Sequence, residues 1–289
     1  MFLEHRRDGV YLFKRRKSDI TNGIGSRIVG GWEAVDNQFP YTVSLRMVGP
    51  SGGVGACGGS ILTNQWILTA GHCLARRFSW VVRFGVTNLT RPDYILESTE
   101  RYIHEAYNQA STAVQTDDIG LLKVEDIVPY GRKYHSTIRL QSSQRKYHEY
   151  PGERLTLSGY GRTEDWWNGG YVPEILYWIY QRGITQAECF LWYPNSQTMK
   201  EQTMCAQFYV IPSQNPCTGD SGGPLTMVDV DGELTQVGLM SFGAAIGCNT
   251  PNPAGFVRPE WYHDWIADIT GISFDWNVED LERKALPSQ

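Results

Sequence analysis

No stretch of the chain reaches the ~18 consecutive apolar residues that a membrane-spanning helix needs, so no membrane span is expected. Positive charge is also scarce: 26 Lys and Arg against 31 Asp and Glu leave a formal net charge of −5. Binding a phosphate backbone requires clustered cations, and nucleic acid is therefore not an expected partner. The one basic cluster, Lys14, Arg15, Arg16 and Lys17, lies ahead of the glycine-containing stretch Thr21 to Gly25 and reads as a solvated face. Near Met1 there is no apolar signal core, because Glu4, His5, Arg6, Arg7 and Asp8 interrupt it. Cys-x-x-Cys pairs are missing, and no cluster of His, Cys and carboxylates marks a catalytic metal, so no cofactor is expected. Nor is a calcium loop recognisable between Val82 and Glu100.

What is present is enough apolar material for a sizeable core: 289 residues, 41% of them hydrophobic and 12% aromatic. That length permits one large domain or two smaller ones. Short runs rich in β-branched and aromatic residues recur between glycine and proline turns, at Tyr41 to Leu45, Trp66 to Thr69, Val81 to Val86, Leu155 to Tyr160 and Val237 to Phe242. The class is all-β and antiparallel. Helical periodicity is weak until Pro259, which can start a helix placing Trp261, Trp265, Ile266 and Ile269 on one face before Gly271 stops it. The polar stretch Gln141 to Gly152 suits a connection between two β units. After Ile272 the charged residues Asp275, Glu279, Asp280, Glu282, Arg283 and Lys284 predict a mobile end.

Six cysteines, Cys57, Cys73, Cys189, Cys205, Cys217 and Cys248, form an even set compatible with three disulfides, and spacing does not choose their pairing. Gly219-Asp220-Ser221-Gly222-Gly223-Pro224 presents one hydroxyl among residues small enough to let backbone amides approach a reacting carbonyl. A serine hydroxyl is a weak nucleophile until a base takes its proton, so a histidine and a group to orient it are needed. His72, in Thr69-Ala70-Gly71-His72-Cys73, directly follows the strand-like run Trp66 to Leu68 beside a cysteine. Asp118 opens Asp118-Ile119-Gly120-Leu121-Leu122-Lys123, where an acidic residue leads into an apolar strand and is carried into the interior. Its neighbour Asp117 is expected to be solvated.

Those three segments, with Ile28-Val29-Gly30-Gly31, resemble the four signature segments of the chymotrypsin-like (S1) serine proteases, in that family's chain order. The arthropod-type members with three disulfides are the most similar. The resemblance runs from about Ile28 to Ile272. It implies two packed six-stranded antiparallel β-barrels with the active site between them: a first barrel over about 28–140, a second over about 153–257, and a C-terminal helix over about 259–270. Residues 1–27 then form a pro-segment and 273–289 a polar tail. The same resemblance implies disulfides Cys57 with Cys73, Cys189 with Cys205, and Cys217 with Cys248. It makes His72 the general base and then acid, Asp118 its orienting group, Ser221 the nucleophile, and the amides of Gly219 and Ser221 an oxyanion hole.

Activation follows by the same resemblance. A trypsin-like protease would cut after Arg27, and the freed amino group of Ile28 would pair with Asp220. Ser241, Phe242 and Gly243 would form the edge that pairs with substrate, with phenylalanine where tryptophan is more usual. The base of the pocket is Asn215, where relatives that cleave after Lys or Arg carry an aspartate. A neutral amide supplies no charge for a buried ammonium, so the expected preference is for Phe, Tyr, Leu or Met, with an elastase-like taste for smaller residues as alternative. Gly243 leaves one wall open, Ala254 adds a methyl group near the floor, and Pro216 and Thr218 complete the surroundings. Expected partners are peptide and protein substrates, the activating protease and protein protease inhibitors, with the chain itself a secreted monomer. Asn88-Leu89-Thr90 is a glycosylation sequon relevant to a secreted chain. The rival readings are a catalytically silent homologue serving as a binding module, which usually lacks a triad residue, and an esterase, which needs the histidine last in the chain.

Overall fold

The computed structural model describes residues 2–4, 12–14, 28–85, 87–125, 136–212 and 214–279. Arg27, the cluster Arg15 to Lys17, and the tail residues Asp280, Glu282, Arg283 and Lys284 lie outside the described residues. Strands β1 (Phe2–Glu4) and β2 (Leu12–Lys14) form an antiparallel hairpin, and β3 (Trp32–Glu33) opens the main body. The first sheet comprises β4 (Thr42–Val48), β5 (Val54–Ile61), β6 (Trp66–Thr69), β7 (Ser79–Phe84), β8 (Tyr94–Ser98), β9 (Glu100–Ile103) and β10 (Gly120–Lys123). The second comprises β11 (Arg139–Leu140), β12 (Arg154–Gly159), β13 (Tyr177–Ile184), β14 (Thr203–Phe208), β15 (Pro224–Val228), β16 (Leu234–Phe242) and β17 (Ala254–Val257).

Period-two side-chain alternation closes each sheet around its own interior. Along β7, Trp80, Val82 and Phe84 are fully buried while Ser79, Val81 and Arg83 are only half-buried. The first sheet runs β8-β7-β4-β5-β6-β10-β9, and its two end strands are separated only by Thr99. They are two halves of one bent strand, so the sheet is a six-stranded ring around Val43, Leu45, Trp80, Phe84 and Leu122. In the second sheet, β16 pairs with both β15 and β17, which closes β16-β15-β12-β13-β14-β17 around Leu155, Ile179, Leu225, Val237 and Phe256. Strand β3 adds to β13, and β11 runs parallel to β16.

A third apolar cluster holds the barrels together. Leu68, Ile119 and Leu121 from the first barrel meet Leu140, Leu239 and Val257 from the second, with Tyr262 and Ile266 from the C-terminal segment. Among the described residues three short α-helices complete the body: α1 (Gly71–Leu74), α2 (Gln186–Trp192), whose Thr185 and Glu188 form a capping box, and α3 (His263–Thr270).

Two expectations need correction. Pro259 starts a 3₁₀ turn, Pro259–Trp261, and the α-helix begins only at His263, although Gly271 does end it at φ 72°. The connecting stretch from Gln141 begins in the interior: Gln141 and Ser142 are fully buried, and Gln141 donates to Asp229 at 3.1 Å while its carbonyl meets His263 Nε2 at 2.7 Å. The segment after Ile272 is also docked as far as residue 279. Trp276 Nε1 donates to the Leu140 carbonyl at 2.8 Å, Arg139 stacks 4.4 Å from the Trp276 ring centroid, and the Ser143 amide donates to Asp275 at 2.9 Å. The tail residues misled because their partners lie more than a hundred positions away in the chain.

Candidate active site

β6 delivers the first functional side chain. It runs straight into α1, with Ala70 as the extended residue before the helix and His72 one position inside. The Cys57–Cys73 disulfide ties α1 back to β5, so the loop carrying the imidazole is covalently anchored on one side. Asp118 sits just ahead of β10, next to the fully buried Ile119. Gly71 allows these two segments to touch: a Cβ there would lie 3.3 Å from Asp118 Oδ1 and from the Ile119 nitrogen.

Asp118 has no exposed surface, and three donors converge on its carboxylate. The His72 amide donates to Oδ1 at 2.8 Å, His72 Nδ1 lies 2.7 Å from Oδ2, and the Ser241 hydroxyl donates to Oδ2 at 2.6 Å. The Nδ1 contact fixes the ring and leaves Nε2 free to act on another group. Burial alone draws the His72 pKa down. The adjacent Asp118 charge and its hydrogen bond outweigh that, and the imidazole is net raised from its ordinary value. Asp117 is not solvated as expected: it adopts φ 56° and accepts from Tyr262 at 2.9 Å and Gln202 at 3.2 Å.

Ser221 lies in the turn between Cys217 and Gly223. Glycines are required here for space: Gly222 adopts φ 78°, and a Cβ on it would run into Thr69 Oγ1 and the Gly58 carbonyl. The Gly58 amide donates to the Ser221 carbonyl at 2.7 Å, joining the turn to β5. Gly219 takes φ 106°, and among the described residues neither its amide nor that of Ser221 has a hydrogen-bond acceptor. Two unpaired donors thus lie beside the hydroxyl. Below them Asp220 is fully buried and accepts from the amides of Gly161 at 2.7 Å and Cys217 at 2.8 Å.

A cleft of about 270 Å³ is lined by His72, Ser221, Asn215, Phe242, Gly243 and Ala254 together with intervening residues. Of the sequence-derived site residues, His72, Asn215, Ser221, Ser241, Phe242, Gly243 and Ala254 share this cleft. Asn215 is 4% exposed; its Nδ2 donates to the Thr250 carbonyl, while Oδ1 is buried without a partner. The floor is thus less apolar than expected. Phe242 packs over Gly255 and meets Tyr193 edge-on at 5.5 Å, and a Cβ on Gly243 would touch nothing. Ile28 is fully buried in the second-barrel core at φ 35°, with Val29 bridging to Asn215 and Gln214 donating to the Gly30 carbonyl at 2.7 Å. The three disulfides pair as the resemblance implied. Asn88 is half-buried and accepts from the Thr90 amide and hydroxyl at 2.9 and 2.7 Å. Sequence reasoning missed the Ser241 to Asp118 bond, which spans 123 positions and has no local signal.

The Trypsin family model matches residues 28–266, which contain both barrels. The chain belongs to the trypsin family. Within that family it is similar to serine protease 1 of Drosophila melanogaster, at 33% identity over 87% of this chain and 88% of the relative. It is 32% identical to a collagenase of Hypoderma lineatum over 86% and 89% of the two chains. Chymotrypsin-C of Rattus norvegicus is 31% identical over 84% and 88%. A solved structure of HL collagenase superposes with a TM-score of 0.74 at 30% identity, over 85% of this chain and 99% of that one. This trypsin-family protein is a serine endopeptidase acting on protein or peptide substrates.

Proposed function

We propose that Ser221 is the nucleophile of this endopeptidase, His72 its general base and then acid, and Asp118 the carboxylate that holds the imidazole. The observation that carries the reading is the convergence of His72 and Ser221 on one cleft, with Asp118 buried behind the ring. His72 Nε2 takes the Ser221 proton as the hydroxyl attacks the scissile carbonyl. The negative oxygen that forms is met by the amides of Gly219 and Ser221, where loss of one donor costs ~10²- to 10³-fold in rate. His72 then protonates the leaving amine, and water repeats the sequence on the acyl-enzyme.

The side chain ahead of the scissile bond enters the cleft floored by Asn215 and Ala254. A neutral floor disfavours Lys and Arg, and the open wall at Gly243 admits Phe, Tyr, Leu and Met. The unpartnered Asn215 Oδ1 is held in place because its Nδ2 is committed to the Thr250 carbonyl. It accepts from a donor at the tip of the substrate side chain, which favours tyrosine over phenylalanine. Cleavage after Arg27 by a trypsin-like protease activates the chain, because the new ammonium of Ile28 pairs with Asp220. Ile28 is a β-branched residue held at φ 35° in the uncut chain, a conformation costing on the order of 1 to 3 kcal/mol that a free terminus relieves. Three disulfides support a secreted protein made in an oxidising compartment, with Asn88 as a glycan acceptor and protein inhibitors as partners.

The test uses the cleaved protein on matched peptides ending in Tyr, Phe, Leu, Ala and Arg at the scissile bond. Tyr ranks first, then Phe and Leu, and Ser221→Ala or His72→Ala abolishes turnover while leaving the melting temperature in place. Arg ranking first refutes the pocket assignment, Ala above Phe moves it to an elastase-like specificity, and full activity in Ser221→Ala ends the mechanism.

A further inference from the structure

A second cavity, of about 420 Å³, lies on the other side of the Ser221 turn. Its walls come from both barrels. On β4, Ser44 and Arg46 are two apart and share a face. Arg46 stands opposite Ala56 of β5, and Ser44 stands opposite Arg83 of β7, which brings Arg83 diagonally alongside Arg46. From the second barrel come Tyr160 and Arg162, and the Arg162 amide is tied to the Thr218 carbonyl at 2.8 Å. Thr218 and Gly219, adjacent in the turn that carries Ser221, also line it, and Val54, Cys57, Leu89 and Val172 add apolar surface.

Three guanidinium groups therefore line one cavity of a chain whose net charge is −5. Among the described residues no carboxylate forms an ion pair with any of them; Arg162 donates to the Gly170 carbonyl, and Arg83 Nε is buried without an acceptor. Burial first, and the like charge of Arg46 second, draw the Arg83 pKa down, which is the signature of cations lacking a counter-charge. Arg139 and Arg145, by contrast, are each matched to Asp229 or Asp231.

A substrate threaded past Ser221 has its acyl half over the cleft that holds Asn215. Its leaving half must run to the opposite side of the turn, where the arginine cavity lies. We propose that this cavity is a subsite for an acidic side chain, Asp or Glu, carried within the first three residues after the scissile bond. The proposal rests on Ser221 as nucleophile. Arg46 and Arg83 supply charge-assisted donors to the carboxylate, and Arg162, anchored to the turn, ties occupancy to the position of Gly219. The bound carboxylate replaces water around cations that otherwise repel one another, and Lys or Arg at the same position is rejected by that repulsion.

The experiment uses cleaved enzyme and quenched peptides with Tyr before the scissile bond and Ala, Asp or Lys at each of the next three positions, beside a Tyr p-nitroanilide that has no leaving-side residue. At one of the three positions, Asp exceeds Ala in kcat/KM by about tenfold and Lys falls below Ala, as expected for one charge-assisted contact. Raising the salt to ~1 M shrinks the ratio. In an Arg46→Gln/Arg83→Gln protein the Asp to Ala ratio approaches one, and Arg46→Glu/Arg83→Glu turns the preference toward Lys. Because each ratio is taken within one protein preparation, partial misfolding does not alter it. Equal rates for Asp and Lys at all three positions, or a preference that survives the double substitution, overturns the subsite while p-nitroanilide hydrolysis leaves the nucleophile reading standing. Absence of p-nitroanilide hydrolysis overturns both.

Discussion

At Asp118 three donors share two carboxylate oxygens, and Oδ2 receives both the imidazole and the Ser241 hydroxyl. The hydroxyl disperses negative charge that would otherwise act on the ring, so Ser241 tunes His72 as well as lining the cleft. Removing it by Ser241→Ala leaves more of the Asp118 charge acting on the ring and its pull on the imidazolium stronger. The His72 pKa, already raised by Asp118, then rises further. With His72 as the proposed base, catalysis needs the neutral ring, so activity is lost as pH falls through that pKa, and the acid limb of the profile moves to higher pH in the variant. The rate at the plateau should fall by roughly 10- to 100-fold, in line with a hydrogen bond to a charged group worth about 1.5 to 3 kcal/mol. A pH profile of kcat/KM for both proteins checks this. A lower plateau with an unmoved acid limb would mean that Ser241 only lines the cleft.

Elements bring these residues within reach of each other, and their legibility differed for physical reasons. The strand Trp66–Thr69 was readable to the residue because all four of its side chains are buried and its apolar run has no interruption. His72 and Ser221 were readable because each sits in a short run of small residues whose need for space is local: Gly71 against Asp118, Gly222 against Thr69. What was not readable depends on long-range partners. Gln141 and Ser142 look like linker residues until Asp229, His263 and Trp276 are brought against them. Likewise the docking of Asp275 and Trp276 requires Ser143 and Leu140 to be in place first. The Cys57–Cys73 link is the element-scale device that holds α1 on β5. Its ring spans 16 positions, for which chain entropy gives about 3 kcal/mol. A Cys57→Ala/Cys73→Ala protein should lose about that much by urea unfolding and lose a larger share of kcat than of KM, since His72 is the neighbour released. An unchanged kcat would show that β6 alone positions the imidazole.

Across the whole molecule, the uncut chain keeps under the Ser221 turn a carboxyl, Asp220, that has no ion pair among the described residues. Burial pushes the Asp220 pKa up from 3.8 to about 6, and the amides of Cys217 and Gly161 only partly oppose it. The folded chain therefore holds this proton to higher pH than the unfolded chain does. A raised carboxyl pKa stabilises the fold while protonated, so the uncut protein should lose stability as pH rises from about 3.8 to about 6, by roughly 3 kcal/mol for the full shift. In the activation proposed above, cutting after Arg27 changes the sign of the local field. The Ile28 ammonium, with its side chain already fixed in the second-barrel core, provides the missing cation, and the Asp220 pKa falls back below its ordinary value. Stability between pH 4 and 6 then ceases to decline. The cost reappears only at alkaline pH, as the ammonium is lost through its own raised pKa above ~8. Melting temperatures of Ser221→Ala protein, which cannot digest itself, check this from pH 4 to 7 in two forms: uncut with Arg27→Gln, and cleaved. The uncut curve should descend across the window while the cleaved curve stays level, and Asp220→Asn should level the uncut curve as well. Parallel curves for the two forms would mean that the charge under the turn is answered by something other than the new terminus.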